Sequence, residues 1–310
     1  MITLIFSFDR AMQLDAALRS FLLHCKDAHQ FSLVVLYKAS DEIYLRQYAR
    51  LAQEFKDHQN LRFVQERSFR RDVLVLLQGA AQGSLTRTCY RFLARFGPRA
   101  AWLTGLQLPI QPQQPLLFLV DDNLFVRPFE LQEVTRALAE HPEALGFSLR
   151  LGANTGYCYT RSRPQELPHF SPIENGILKY SWTNAVDDFG YPLEVSSSVY
   201  RLDDIYPLLC KIPFSNPNRL EGKLARQAQS FRQRSPYLLC YPQSVTFCNP
   251  VNMVQTVIQN RSGTSQEFTK ERLAQLFEEG YRINVEAFTG FVPNSCHQEA
   301  DLVFERAVQS

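Results

Sequence analysis

The sequence predicts an α/β protein whose central sheet is mostly parallel and is flanked by helices. The first third of the chain alternates strand-like and helix-like segments, which is typical of a parallel sheet with crossover helices. Its strand-like segments are apolar throughout, as expected of strands with both faces buried. A length of 310 residues with 45% hydrophobic and 21% charged residues is typical of a globular protein and excludes collagen-like and largely disordered chains.

The charge balance and the cysteine spacing exclude several other classes. Lys and Arg number 33 against 31 Asp and Glu, a formal net charge of +2, whereas nucleic-acid binders usually carry a strong basic excess. No apolar run approaches the roughly 18 residues of a transmembrane helix. The 7 cysteines form no C-x-x-C pair, so neither a disulfide framework nor a thiolate zinc site is predicted. We expect a reduced cytoplasmic protein with no nucleic-acid partner.

The opening segments predict two strand–helix pairs. Residues 2–8 form an apolar strand, and a helix follows from Ala11 with Asp9 as its N-cap. Residues 31–37 form a second buried strand. The next helix begins near Asp41, where acidic side chains favour a helix N-terminus.

The pattern continues to the middle of the chain. Residues 61–64 predict a short third strand, and the next predicted elements are helices over 69–81 and 84–96, a connection over 97–115, a strand over 115–120 and a helix over 130–140. The second of these helices carries Arg87, Arg91 and Arg95 four residues apart on one face. This face is either solvated or a peripheral contact with anionic lipid or a phosphate-bearing acceptor.

Two carboxylates and an amide follow the apolar strand 115–120: Asp121, Asp122 and Asn123. Open α/β sheets bind their ligands at the carboxyl ends of their strands. Adjacent buried acids are costly without a positive partner, and Mg²⁺ or Mn²⁺ prefers such oxygen donors. The alternative is a turn in which these side chains bond to the backbone.

These features resemble the glycosyltransferases of the GT-A fold, most closely the family 2-like group. The members of this group open with a strand and a polar turn like residues 6–10 here, followed by a helix with leucines at the places of Leu14 and Leu18. Their D-x-D element follows the fourth strand, and Asp-Asp-Asn is a known variant with a hydrophobic residue and a proline soon after, here Phe125 and Pro128. The resemblance covers the first half well and the second half loosely.

The resemblance implies roles for particular residues. Asp122 would coordinate Mn²⁺ or Mg²⁺, Asp121 would act through the ribose or a metal-bound water, and Asn123 takes the place of the last Asp of the motif. The metal would neutralise the diphosphate of a sugar nucleotide as it leaves. The side chains implied at the nucleotide sugar are Phe8, Arg10, Arg70 and Asp121. Members also bring a late histidine to the metal, and His297 is a candidate whose alternative is a structural role.

The second half must supply the base that removes a proton from the acceptor hydroxyl, because an inverting transfer needs a carboxylate there. Asp188 is the first candidate and Asp187 the second, in a segment whose aromatic residues could stack on a sugar. Glu221 is the alternative, although an acid at that position of a helix also compensates the helix dipole. Strands are expected over residues 147–151, 193–200 and 245–247, and helices over 220–229 and 270–279.

We therefore expect one GT-A-like domain over residues 1–310, with a nucleotide-binding half over 1–146 and an acceptor-side half over 147–310. Its predicted activity is metal-dependent transfer from a nucleotide diphosphate sugar, first of all a UDP-sugar, to a saccharide or lipid-linked hydroxyl acceptor at the inner membrane surface. One alternative is a non-catalytic carbohydrate- or lipid-binding protein on the same scaffold. The other is a sugar-nucleotide nucleotidyltransferase, whose Gly-rich first loop is absent here.

Overall fold

The computed structural model describes residues 1–80, 114–252 and 268–307. The predicted helix over 84–96 lies outside these ranges, and so do its arginines Arg87, Arg91 and Arg95.

Four parallel strands build the first half of a nine-stranded sheet in the order β3-β2-β1-β4. Their registers pair Phe6 of β1 with Val120 of β4, and Phe8 of β1 with Lys38 of β2, so these strands end at a common edge. The four strands are β1 (Ile2–Phe8), β2 (Ser32–Lys38), β3 (Leu61–Gln65) and β4 (Pro115–Val120). The strand predictions of this half are confirmed to within one residue at most ends.

Three helices connect these strands: α1 (Ala11–His24), α2 (Glu42–Glu54) and α3 (Phe69–Ala80). Helix α2 begins where the Asp41 carboxylate accepts hydrogen bonds from two backbone N–H groups of the first turn, a regular N-cap. The predicted N-cap of α1 is wrong, because Arg10 holds that position and its side chain makes no capping bond. Asp9 instead accepts a hydrogen bond of 2.8 Å from the backbone N–H of Ser40, at the end of β2.

Alternate residues of β1 pack into two different cores, one on each face of the sheet. Ile5 packs with α1 and α2, whereas Leu4 and Phe6 pack with α3 on the opposite face. The large side chains on both faces are almost fully buried, as Phe21 of α1 and Leu77 of α3 illustrate. Each such side chain stabilises the fold by about 1.5–3 kcal/mol, which makes the sheet a rigid platform for its loops.

The second half continues the same sheet as β4-β11-β6-β12-β10-β9. Strand β11 is antiparallel to both of its neighbours, and β10 is antiparallel to β12 and β9. The sheet strands of this half are β6 (Ala144–Ser148), β9 (Ser171–Pro172), β10 (Leu178–Ser181), β11 (Ser198–Arg201) and β12 (Tyr237–Cys240). The α/β class with a large central sheet between helices is confirmed, and the parallel pairing is interrupted at β11 and β10.

Shorter strand pairs and four helices complete the second half. The pairs are β5 (Asn123–Phe125) with β13 (Thr246–Cys248), β7 (Tyr157–Cys158) with β8 (Arg163–Pro164), and β14 (Tyr281–Ile283) with β15 (Phe304–Arg306). The helices are α4 (Leu131–Glu140), α5 (Leu202–Lys211), α6 (Pro217–Gln227) and α7 (Lys270–Glu278). Within the described ranges, no helix is both long and apolar enough to span a bilayer.

Two differences from the sequence prediction have local causes. The strand expected over 193–200 begins only at Ser198, because the Glu194 carboxylate accepts the backbone N–H groups of Ser196 and Ser197 and so competes with strand pairing. Helix α5 was not predicted, since Pro207 inside it is a residue that normally breaks helices.

Candidate active site

Asp121 ties the end of β4 to the turn that follows β1. Its Oδ2 accepts hydrogen bonds from the Ser7 hydroxyl at 2.9 Å and from the Phe8 backbone N–H at 3.2 Å. Its Oδ1 accepts from Nη1 of Arg10 at 3.1 Å. The parallel pairing of β1 and β4 makes these contacts possible because it brings the two strand ends side by side. The predicted proximity of Phe8, Arg10 and Asp121 is therefore present in the structure.

Arg10 is the positive partner of the acidic pair. Its Nη1 also lies 3.4 Å from Oδ2 of Asp122, and its Nη2 donates to the carbonyl oxygen of Asn252. Burial raises the pKa of Asp121 to about 6, with Arg10 opposing the rise and Asp122 adding to it. One guanidinium thus faces two carboxylates, which leaves the group with a net negative charge.

Asp122 and Asn123 differ sharply although they are neighbours. The Oδ1 atom of Asp122 is buried and has no hydrogen-bond partner among the described residues. Asn123 is fully buried, and its Oδ1 accepts from the Val120 backbone N–H at 2.9 Å while its amide donates to Sγ of Cys248 at 3.4 Å. The turn alternative therefore describes Asn123, and the carboxylate oxygen free for a cation belongs to Asp122.

The Arg70 guanidinium is engaged by backbone carbonyl oxygens, and its contact with a nucleotide stays a prediction. Its guanidinium donates to the carbonyl oxygens of Ile212 at 3.0 Å and Cys210 at 2.7 Å, at the C-terminus of α5. A cation at this position satisfies unpaired helix carbonyls and the negative end of the helix dipole. The basic residue has a structural role that the sequence pattern around it did not reveal.

The turn after β1 is held from a second direction by α7. Nζ of Lys270, the first residue of α7, lies 3.2 Å from Oδ2 of Asp9. Asp9 is buried and has a left-handed backbone with φ 55°, a conformation that is costly for a residue with a side chain. Lys270 was not among the predicted site residues because it is distant in sequence and belongs to no motif.

A second charged group lies on the other side of β4. Arg150 follows β6 and Glu194 precedes β11, and Nε of Arg150 lies 3.8 Å from Oε1 of Glu194. Neither atom has a hydrogen-bond partner in the part of the chain that the structure describes. Oε2 of Glu194, by contrast, accepts from the Ser196 hydroxyl at 2.6 Å and from the Ser197 N–H at 3.1 Å. The Glu194 carboxylate is therefore fixed by one oxygen and open at the other.

Glu221 joins this second group. It lies in α6, where its Oε2 accepts from the Val195 backbone N–H at 3.0 Å and its carboxylate bonds to Tyr191. Burial raises the pKa of Glu221, while the nearby Arg150 opposes the rise. Helix-dipole compensation alone does not account for a carboxylate that contacts a different segment of the chain.

Asp187 and Asp188 have opposite surroundings. The Asp187 carboxylate is paired with Nε of Arg161 at 3.1 Å and Nη2 of Arg163 at 2.9 Å, so both of its oxygens are occupied. Asp188 lies 3.8 Å from Sγ of Cys158 through its Oδ1, and its Oδ2 is buried with no partner among the described residues. The contacts favour Asp188 over Asp187 as a group that accepts a proton.

His297 and two cysteines connect the two charged groups. Cys248 pairs with Asn123 on one side and with His297 on the other. Nε2 of His297 lies 3.4 Å from Nη1 of Arg150, and its Nδ1 lies 3.3 Å from Sγ of Cys296. Burial and the Arg150 charge lower the pKa of His297 to about 3, which keeps the ring neutral near pH 7. Both ring nitrogens are engaged, which favours the structural role.

The common property of this edge is a set of buried atoms of charged side chains that lack a hydrogen-bond partner among the described residues, although Arg10 and Arg150 are ion-paired. Buried polar atoms are normally hydrogen-bonded, so a concentration of exceptions at one place indicates a ligand site. The described residues hold no group of three His, Cys, Asp or Glu side chains arranged around a metal. The unpartnered atoms at this edge are Oδ1 of Asp122, Oδ2 of Asp188, Oε1 of Glu194, Nε of Arg10 and Nε of Arg150.

The sequence is similar to that of a curated protein. The bifunctional glycosyltransferase pgtA of Dictyostelium discoideum is 26% identical over an alignment covering 91% of this chain and 36% of that protein. No protein-family model matches the sequence. Among solved structures, S. aureus TarS aligns with 80% of this chain and 36% of its own at 13% identity and a TM-score of 0.45. An active-site mutant of LgtC aligns with 90% of this chain and 96% of its own at 13% identity and a TM-score of 0.31.

These likenesses differ in what they support. The two structural alignments have TM-scores too low to carry an inference. The chain spans 36% of the length of pgtA, so that protein is longer than the region compared. Over most of its own length, this chain is similar in sequence to part of a bifunctional glycosyltransferase.

Proposed function

We propose that this protein is a metal-dependent glycosyltransferase that moves a sugar from a nucleotide diphosphate sugar to a hydroxyl acceptor. The proposal depends chiefly on the buried atoms of charged side chains that lack a hydrogen-bond partner at the carboxyl edge of the sheet. This is the edge where α/β proteins bind their ligands. The sequence similarity to a glycosyltransferase over 91% of the chain supports the same activity. A UDP-sugar is the first donor to test.

A divalent cation fits the Asp122 side of this edge. The buried, partnerless Oδ1 of Asp122 is a hard oxygen donor, and Mg²⁺ and Mn²⁺ commonly use one or two carboxylates together with substrate phosphates. Asn123 is not in the proposed ligand set, because its Oδ1 is bonded to Val120 inside the turn and its amide nitrogen to Cys248 of β13. When bound, the metal would neutralise the diphosphate leaving group as a Lewis acid.

The other residues of the nucleotide side would hold the donor in place. Asp121 fixes the turn after β1 through three hydrogen bonds, so that Phe8 and Arg10 are presented on a rigid strand end. Phe8 is partly exposed and lies beneath the Lys38 ammonium, 5.4 Å from the ring centre, which is a surface suited to a base or ribose. Arg10 balances part of the negative charge before the donor arrives.

Asp188 is the proposed base. Its free Oδ2 would accept the proton of the acceptor hydroxyl while the acceptor oxygen forms its bond to the sugar and the bond to the diphosphate breaks. Attack opposite to the leaving group would invert the anomeric centre. Glu221 is the alternative, because burial raises its pKa and so makes its carboxylate a stronger base. The acceptor we propose is a saccharide or a lipid-linked saccharide.

Isothermal titration calorimetry with a panel of nucleotide sugars tests the donor and the metal together. We expect UDP-sugar binding that requires Mn²⁺ and is lost in Asp122→Ala but kept in a control, Asp57→Ala, whose side chain is exposed. Equal binding after chelation with EDTA would refute the metal, and no binding to any nucleotide sugar would refute the donor.

Product analysis separates the proposed activity from its rivals. A glycosyltransferase releases a nucleoside diphosphate only when an acceptor or water takes the sugar. A nucleotidyltransferase would release pyrophosphate from a nucleoside triphosphate and a sugar phosphate. A non-catalytic binding protein would release neither product.

A further inference from the structure

The hairpin of β7 and β8 carries a pair of exposed arginines beside the proposed base. Arg161 lies in the turn and Arg163 begins β8, and both contact one carboxylate, that of Asp187. The side chains of Arg161 and Arg163 are 61% and 53% exposed, whereas that of Asp187 is 2% exposed. The carboxylate is therefore enclosed beneath two cations that face solvent.

One carboxylate cannot balance two guanidinium groups. A single bidentate arginine satisfies both oxygens of an aspartate, and Arg163 alone already bonds to both at 2.9 and 3.0 Å. Arg161 adds a second cation through its Nε at 3.1 Å, which leaves the other N–H donors of its guanidinium outside this contact. The group has an excess of one positive charge and a set of donors directed away from Asp187.

The backbone at this place is held in a costly conformation. Ser162, between the two arginines, and Asp187, beneath them, both have left-handed backbones with φ 51° and 53°. Such strain in residues with side chains persists only where the surrounding structure enforces it, and it concentrates at functional sites. It sets the directions of the two arginines relative to Asp187.

The arginine pair lies on the acceptor side of the candidate active site. Asp188 follows Asp187 directly, and its carboxylate contacts Cys158 of β7 and lies close enough to Cys296 that, besides burial, its charge raises the pKa of that thiol. Cys296 in turn bonds through its carbonyl oxygen to the N–H of Cys248, whose thiol contacts Asn123. The cations are thus adjacent to the proposed base and separated by it from the nucleotide side.

We propose that Arg161 and Arg163 bind an anionic group, a phosphate or a carboxylate, of the acceptor. This assignment depends on the proposed function, because it makes the acceptor a charged sugar instead of a neutral one. Guanidinium groups bind both anions through paired N–H donors, and two adjacent arginines match their oxygens better than one. Asp187 then has the role of fixing the pair and lowering its charge, so it is a positioning residue.

Titration with three matched sugars tests this subsite. Glucose 6-phosphate and glucuronate supply the two anions on nearly the same ring, and glucose is the neutral control. We expect the wild-type protein to bind at least one anionic sugar about 10-fold more tightly than glucose at constant ionic strength, by calorimetry or NMR titration. The stronger of the two anionic sugars identifies the group.

Variants assign the preference to the arginines. We expect Arg161→Gln with Arg163→Gln to abolish the preference, and the corresponding double Lys variant, which keeps the charge and loses the paired donors, to retain part of it. Asp187→Asn should increase affinity for the anionic sugar because it removes the opposing charge. Arg234→Gln, which removes another exposed, ion-paired arginine, is the matched control and should change nothing. Thermal unfolding reports whether each variant is folded.

Two results would overturn the proposal: equal affinity for glucose and both anions in the wild type, or an anion preference that survives in the folded double Gln variant. The donor titration is a separate readout of the proposed function. If arginine-dependent anion binding persists while no nucleotide sugar binds, the proposed function fails and the assignment of the anion site to an acceptor is overturned with it.

Discussion

Two buried ionic groups in this molecule have similar compositions and differ in how fully their charged atoms are hydrogen-bonded. The first is the carboxyl edge of the sheet, where charged atoms of Asp122, Asp188, Glu194, Arg10 and Arg150 lack partners among the described residues. The second lies between α1, α2 and the β14–β15 pair, where the buried charges of Asp15 and Arg282 are partnered.

The second group is a closed network. Asp15 accepts from Arg19 at 3.0 Å and lies 3.7 Å from Nε of Arg282, whose Nη2 lies 2.9 Å from Glu54. Arg282 also donates to backbone carbonyl oxygens, and Arg19 reaches Glu305 of β15 at 3.0 Å. The network fastens the C-terminal strands to the first two helices.

The difference between the groups is informative about their roles. Desolvated charges cost free energy, which a structural network recovers by pairing every member. At the sheet edge the charges are paired as ions, yet several of their buried atoms lack a hydrogen bond, and the rest of the fold has to compensate for that cost. Buried charged atoms without a hydrogen bond are expected in a site that binds a metal, a diphosphate and an acceptor. They are not expected in a purely structural cluster.

Removing the free carboxylate of Asp122 should give the largest functional effect. We expect Asp122→Ala to lower kcat/KM for sugar transfer by at least about 10³-fold, about 4 kcal/mol, because the leaving diphosphate loses its neutralising metal. The melting temperature should change little, because the variant loses one ion pair with Arg10 and also one buried oxygen that lacks a hydrogen-bond partner. A fall in stability with normal turnover would place Asp122 in the structural class instead.

Asp188→Asn should follow, with kcat lowered by about 10²- to 10³-fold. The amide keeps the shape of the side chain and removes its ability to accept the proton. Transfer assays with Asp187→Asn and Glu221→Gln in parallel identify the base. If Glu221→Gln causes the larger loss in kcat, the role of base moves from Asp188 to Glu221.

Arg282→Met should produce the opposite result. Removing Arg282 takes away one of the two cationic partners of both Asp15 and Glu54, which is expected to cost about 2 kcal/mol of unfolding free energy. Urea denaturation measures this loss, and the exposed pair of Lys26 with Glu130 offers a control, Lys26→Met, with a loss below about 1 kcal/mol. Transfer activity per folded molecule should be unchanged in Arg282→Met, and a large loss of activity would contradict the separation of the two groups.

The neutral state of His297 gives a smaller, pH-dependent effect. Its pKa is about 3 in the folded protein against 6.5 ordinarily, so the unfolded chain binds a proton that the native state does not in this range. Stability should therefore fall as the pH falls from about 6.5 towards 3. His297→Gln should flatten that part of the stability curve measured by denaturation. An unchanged curve would mean that Arg150 does not suppress protonation of the ring.

The sequence predicted the nucleotide side of the site better than the acceptor side. Asp121, Asp122, Phe8 and Arg10 follow parallel strands, and the carboxyl ends of such strands share one edge by geometry. Glu194 was missed because it precedes β11, which runs in the reverse direction through the sheet. In an antiparallel strand, the residue at this edge of the sheet precedes the strand. A pattern of polar residues that follow strands therefore does not include Glu194.

Local patterns also could not distinguish the roles of similar arginines. Arg70 and Arg150 both adjoin regular elements, yet one caps a helix and the other faces Glu194. The outcome depends on which distant segment packs beside each guanidinium, and that is decided by the tertiary fold. The helix boundaries, by contrast, follow from local signals such as the Asp41 cap and the left-handed Gly280 after α7.

The pairing of β14 with β15 has a consequence for engineering this chain. The segment with Cys296 and His297 begins at β14 and ends at β15, so it is a loop anchored at both of its ends. Deleting Phe304–Arg306 would remove no residue of the site. It would, however, remove the strand that fixes one end of this loop, and the loop carries His297, which contacts Arg150. Fusion partners and purification tags should therefore be joined beyond β15, and surface-display or truncation libraries should treat this short strand as part of the minimal unit.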